Sequence, residues 1–94
     1  MASIANLPEA DRADLIARLK RVEGQARGLQ RMVEEGRDCS EVIQQVAAIR
    51  AAITGLSGEL LEAVALRCLR RPEEFDSPER AIEEAVRLLV RAGR

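Results

Sequence analysis

Apolar residues recur through the first third of the chain at alternating intervals of four and three: Leu15, Leu19, Val22, Ala26, Leu29 and Val33. That spacing marks one face of a helix and predicts an element from about Pro8 to Glu35, with Gly36 as its stop. The alternation returns at Val42, Val46, Ile49, Ile53, Leu56 and Leu60, predicting a second helix from about Ser40 to Arg70. Asp38 can cap its start, with Glu41 three positions on as the reciprocal partner. A second stripe on this helix is small (Ala48, Ala51, Ala52, Gly55, Gly58), so the helix is apolar on more than one face and is expected to be central. Gly55 and Gly58 weaken a lone helix and make sense where another backbone approaches closely. Pro72 ends the element. Ser77 and Pro78 open a third helix over about Pro78 to Ala92, with Ala81, Ile82, Ala85, Val86 and Leu89 as its inner stripe.

Composition supports helix throughout. Phe75 is the one aromatic residue, and runs of β-branched residues are missing. Ninety-four residues make one domain, 1–94, too small to bury much surface alone, which points to self-association. Met1 to Leu7 lacks the basic-then-apolar order of a signal peptide, and no apolar run reaches the roughly 18 residues of a membrane span. The expected location is the cytoplasm, where thiols are usually reduced.

The net charge of −1 suggests neither nucleic acid nor membrane, but it hides an asymmetry. Between Arg12 and Arg31 there are six basic residues (Arg12, Arg18, Lys20, Arg21, Arg27, Arg31) against Asp14 and Glu23, whereas Glu73 to Glu84 holds six acids against Arg80. At 100° per residue, Lys20, Arg27 and Arg31 fall on one line, about 140° from the apolar seam. Gly24 lies near that line with no side chain to obstruct a close approach. A solvent-facing basic stripe suits a phosphate backbone; arginines chosen for helix propensity on a solvated face are the alternative. No helix-turn-helix pattern accompanies the stripe.

Enzyme apparatus is missing from the sequence: there is no histidine, no nucleophile elbow and no glycine-rich phosphate loop. Two cysteines remain, Cys39 at the amino end of the second helix and Cys68 near its carboxyl end. On a continuous helix they stand roughly 43 Å apart, against the Cα separation of about 7 Å that a disulfide tolerates. They cannot bond within one helix. Two copies with antiparallel second helices would bring Cys39 of one beside Cys68 of the other, giving two equivalent dithiol sites. Unpaired N–H groups at a helix start favour a thiolate at Cys39. Arg67, Arg70 and Arg71 are placed to add positive charge, while Asp38 and Glu41 oppose it. Each cysteine as a small apolar residue at a helix end is the plainer alternative.

The run Arg18-Leu-Lys-Arg-Val-Glu-Gly-Gln, continuing to Glu35, then Asp38-Cys39 and the long helix to Cys68, resembles the CsoR/RcnR/FrmR family of bacterial repressors. The likeness covers roughly Leu15 to Leu69, with the acidic third helix fitting more loosely. It implies an all-α three-helix protomer, an antiparallel dimer forming a four-helix bundle, a dimer of dimers, and operator binding released by an inducer. It also implies a DNA contact at Arg18, so the candidate DNA-binding residues are Arg18, Lys20, Arg21, Arg27 and Arg31. Copper sensors of the family have Cys, His and Cys at the positions of Cys39, Val64 and Cys68; here the middle position is Val64 and has no donor. Nickel and cobalt sensors need histidines that this chain lacks, and formaldehyde sensors an amino-terminal Pro where this chain has Ala2. Two cysteines without the histidine are similar to the CstR-like persulfide sensors.

The expectation is therefore a non-enzymatic transcriptional repressor without a cofactor, acting as a homodimer or homotetramer away from membranes. Cys39 and Cys68 of adjacent protomers would form its redox sensor, crosslinked by persulfide or polysulfide. A copper(I)-responsive repressor using the same thiolates, a thiol-based sulfur transferase and a purely structural helical oligomer are the alternatives.

Overall fold

A computed structural model of the protein describes residues 3–92. Three helices account for most of them: α1 (Glu9–Glu34), α2 (Cys39–Arg70) and α3 (Pro78–Ala92). Among the described residues there is no strand. Ala2, the position at which formaldehyde sensors are expected to differ from this chain, lies outside them.

The helix ends follow local chemistry. Pro8 is the residue before α1 rather than its first, and Glu9 and Asp11 place negative charge in the first turn. At the far end Gly36 has a φ of +67°, which closes a Schellman turn: the Gly36 N–H donates to Val33 O and the Arg37 N–H to Met32 O. Asp38 caps α2 by accepting from the Ser40 N–H at 3.1 Å. The expected reciprocal bond from Glu41 does not form, because Arg37 Nε donates to Glu41 Oε2 at 2.9 Å and holds that carboxylate. Ser77 caps α3 by accepting from the Arg80 N–H.

Two short 3-10 turns were not legible in the apolar pattern. One, Ile4–Asn6, is capped by Ser3 and delivers Leu7 into the core. The other, Pro72–Glu74, joins α2 to α3.

The chain forms a slab of 53 × 28 × 14 Å. Fourteen ångströms is about one helix diameter with side chains, so the protomer is a single layer with a thin interior. Leu7, Leu15 and Ala63 are buried together, with Leu56 and Leu60 against them. Both long seams are only partly covered: Leu19 and Val33 on α1, and Val46 and Ile53 on α2, remain exposed. A chain whose principal apolar seams stay wet has its remaining core to build with another molecule.

Candidate functional site

Helix α2 is unbroken from Cys39 to Arg70, which keeps the cysteines at opposite ends of one rod. Their surroundings differ. Cys39 is exposed, beside the Asp38 cap and the Arg37–Glu41 pair. Hydrogen bonds from Ser40, its hydroxyl first, hold the Asp38 carboxyl below its usual range, so a negative charge persists next to Cys39 in the chain. Cys68 is 2% exposed, and burial pushes its thiol up.

Of the three arginines expected to serve Cys68, Arg67 and Arg71 are engaged elsewhere, while Arg70 is exposed and makes no ion pair among the described residues. Arg67 Nε and Nη2 donate to both oxygens of Glu74, at 2.8 and 2.6 Å, a two-pronged clamp between α2 and the turn that follows it. Arg71 Nε donates to Glu73 at 2.6 Å. These bonds hold both glutamate carboxyls below their usual range. In the protomer this positive charge therefore serves the α2–α3 connection.

Val64 is half-buried, one turn before Cys68. It borders an apolar cavity of about 290 Å³ whose lining includes Leu7, Leu60, Arg67, Phe75 and Leu89. Phe75 and the Leu7 segment were not singled out as site-forming by the sequence pattern, because neither belongs to a helical stripe.

The five candidate DNA-binding residues of α1 fall into three arrangements. Lys20, Arg21 and Arg31 are exposed and, among the described residues, make no ion pair. Arg27 is exposed but bonded to Glu23 at 2.8 Å along the same helix. Arg18, also exposed, reaches across to α2, where its Nε pairs with Glu59. Sequence reasoning missed this partner, although a signal existed. At 100° per residue Arg18 lies about 60° from the middle of the apolar seam, on its flank and away from the Lys20–Arg27–Arg31 line. Gly55 makes room for it. A Cβ there would stand 2.8 Å from Arg18 Nη1, so the small residue admits a guanidinium and not, as the sequence suggested, a neighbouring backbone. Gly58 has nothing within 4 Å of its Cβ position, and the expected close approach is absent there within the protomer.

Comparison with known proteins agrees with this architecture. Residues 11–91 match the family described as metal-sensitive transcriptional repressor, a match that includes most of α3. The copper-sensing transcriptional repressor CsoR of Bacillus subtilis (strain 168) is 42% identical over 67 residues, 71% of this chain and 66% of that protein. The chain spans 57% to 66% of the length of the first two curated relatives it matches. The crystal structure of the copper-sensing repressor CsoR with Cu(I) from Geobacillus thermodenitrificans NG80-2 superposes with a TM-score of 0.79 at 31% identity, covering 99% of this chain and 96% of that one. A variant of the formaldehyde-responsive regulator FrmR from Salmonella enterica serovar Typhimurium superposes with a TM-score of 0.74 at 29% identity, covering 90% and 96%. No described helix is long and apolar enough to cross a membrane. On the family match and on the fold together, the chain belongs to the metal-sensitive transcriptional repressor family.

Proposed function

We propose that this protein is a transcriptional repressor that binds operator DNA through the basic face of α1 and leaves it when sulfane sulfur links Cys39 of one protomer to Cys68 of its partner. The observation that carries the sensor assignment is the pairing of an exposed thiol with a buried one at opposite ends of one unbroken helix, with the donor-free Val64 one turn from the second. Antiparallel α2 helices in a dimer bring the two ends together, and the exposed seams of α1 and α2 supply the apolar surface for such a dimer. A dimer of these dimers completes the proposed assembly.

The chemistry balances without a metal. The Cys39 thiolate attacks a sulfane sulfur of a polysulfide, a shortened polysulfide leaves, and Cys39 carries a persulfide. A second sulfane sulfur lengthens it in the same way. The partner's Cys68 then attacks the sulfur next to Cys39 Sγ, and hydrosulfide leaves. The product is a bridge with one added sulfur, able to span a gap that a plain disulfide would strain. The linked α2 ends repack, and the α1 helices resting on them no longer present their basic faces at phosphate spacing. A tenfold loss of DNA affinity, about 1.4 kcal/mol, suffices for release.

A copper(I) response is the second reading, favoured by the likeness to copper-sensing repressors. Two soft thiolates suit Cu(I). Cys39 and the partner's Cys68 would hold it, while Val64 offers no third donor.

Titrating a duplex from the upstream region of the protein's own gene, with and without polysulfide, tests the first reading. Polysulfide should release the DNA and yield a covalent dimer on a non-reducing gel. Release by Cu(I) in the presence of a strong copper chelator, with no response to polysulfide, would favour the second.

A further inference from the structure

We infer that Glu59 is a latch on Arg18: it holds the guanidinium against α2 in the DNA-free protein and competes with phosphate for it. The inference rests on the proposed DNA-binding role of α1 and adds a residue on α2 that sets its strength.

Three observations on separate residues converge. Arg18 is the one member of the candidate DNA-binding set whose charge is paired across helices, from α1 to α2. Its seat is built, since Gly55 lies one turn before Glu59 and a Cβ there would crowd Arg18 Nη1 at 2.8 Å. Glu59 depends on the pairing, because its Oε2 is buried and accepts no aligned hydrogen bond, leaving Arg18 as its charge partner.

The pair is still exchangeable. The Arg18 side chain is 45% exposed and that of Glu59 26%, so water and counter-ions reach both. Exposed ion pairs are weak, and the Arg18 guanidinium, with five N–H donors, sends no aligned hydrogen bond to Glu59 Oε2. A phosphate oxygen can recruit Arg18, but only by leaving the Glu59 carboxylate orphaned and close to a like charge. Glu59 therefore lowers DNA affinity and neutralises one positive charge per protomer in the free protein. Because α2 also carries both cysteines, the latch joins the sensor helix to the DNA-binding helix by a contact that repacking of α2 would tighten or loosen.

Glu59→Gln removes the competing charge while keeping the side-chain shape. It should tighten binding to the upstream duplex at least about threefold. The dependence of log K on log salt should steepen by about one per contacting protomer. Gly55→Ala should act in the same direction by displacing Arg18, and should not destabilise α2, where Ala is the better helix former. On an Arg18→Ala background the Glu59→Gln gain should vanish. The Arg18 Nε–H resonance of the DNA-free protein should shift in Glu59→Gln and on adding the duplex. The latch is overturned if folded Glu59→Gln protein binds no more tightly than the parent, or if its gain persists without Arg18. A resonance shift in Glu59→Gln with none on adding duplex that does bind would also overturn it, while leaving the repressor reading intact. Absence of duplex binding by the unmodified protein would instead overturn the reading on which the latch rests.

Discussion

The two ends of α2 carry the same functional group in opposite circumstances. At the amino end Cys39 stands in solvent, on a turn fixed by Gly36 and by the Asp38 cap. At the carboxyl end Cys68 is packed away, and the segment that follows is fastened by the Arg67–Glu74 clamp. A thiol that meets solvent can collect sulfur first; a buried thiol, kept protonated by desolvation, waits for a partner to be delivered. The difference assigns an order to the proposed chemistry, with Cys39 attacking and Cys68 resolving.

The largest effect follows from removing the exposed end. Cys39→Ser should bind the duplex normally and ignore polysulfide altogether. Cys68→Ser should still collect sulfur on Cys39, seen by mass spectrometry, without forming the covalent dimer. If Cys39→Ser protein still releases DNA on polysulfide treatment, the assigned order fails.

Next comes a change that gives the buried end a metal donor. Val64→His places an imidazole one turn from Cys68 and should strengthen Cu(I) binding at least about tenfold in chelator competition, close to 1.4 kcal/mol. Unmodified protein that already outcompetes the strongest chelator would show that the third donor is dispensable.

Direct alkylation measures the contrast itself. In folded protein Cys39 should react with iodoacetamide at least about tenfold faster than Cys68, since the raised thiol of Cys68 carries less thiolate at neutral pH. The ratio should collapse in denaturant, and equal rates in the folded protein would erase the comparison.

The smallest effect is on stability. The hydrogen bonds from Arg67 lower the Glu74 carboxyl, so their contribution is fully present above the unfolded carboxylate pKa of about 4.3 and is lost as pH falls through the lower folded value. Thermal unfolding of Glu74→Gln should therefore fall below the parent at pH 7, with a gap that narrows as pH drops below the unfolded carboxylate pKa. A parent–variant gap that does not change with pH would remove the charge from this account.

How far each feature was legible depended on the range of the interaction behind it. The three helices come from propensity and from a seam read every three or four residues, both local, and their caps at Asp38 and Ser77 are local hydrogen bonds. The Glu41 reciprocal cap failed because a second local partner, Arg37, competes for the same carboxylate. Arg67 and Arg71 failed as helpers of Cys68 because their partners, Glu73 and Glu74, lie beyond Pro72, where the chain changes direction. The Arg18–Glu59 pair spans 41 positions of sequence and needs α1 and α2 to be docked before it exists.

By itself the sequence determined the all-helical class, the length of the rod that separates Cys39 from Cys68, and the donor-free character of Val64, because periodicity, rise per residue and side-chain chemistry do not depend on packing. Tertiary structure alone decided that Cys68 is buried while Cys39 is exposed, that Leu7 joins the core, and that Arg18 rests on Gly55 against Glu59. Those outcomes depend on which helix faces meet and how closely, a relation between residues far apart in the chain that no local pattern encodes.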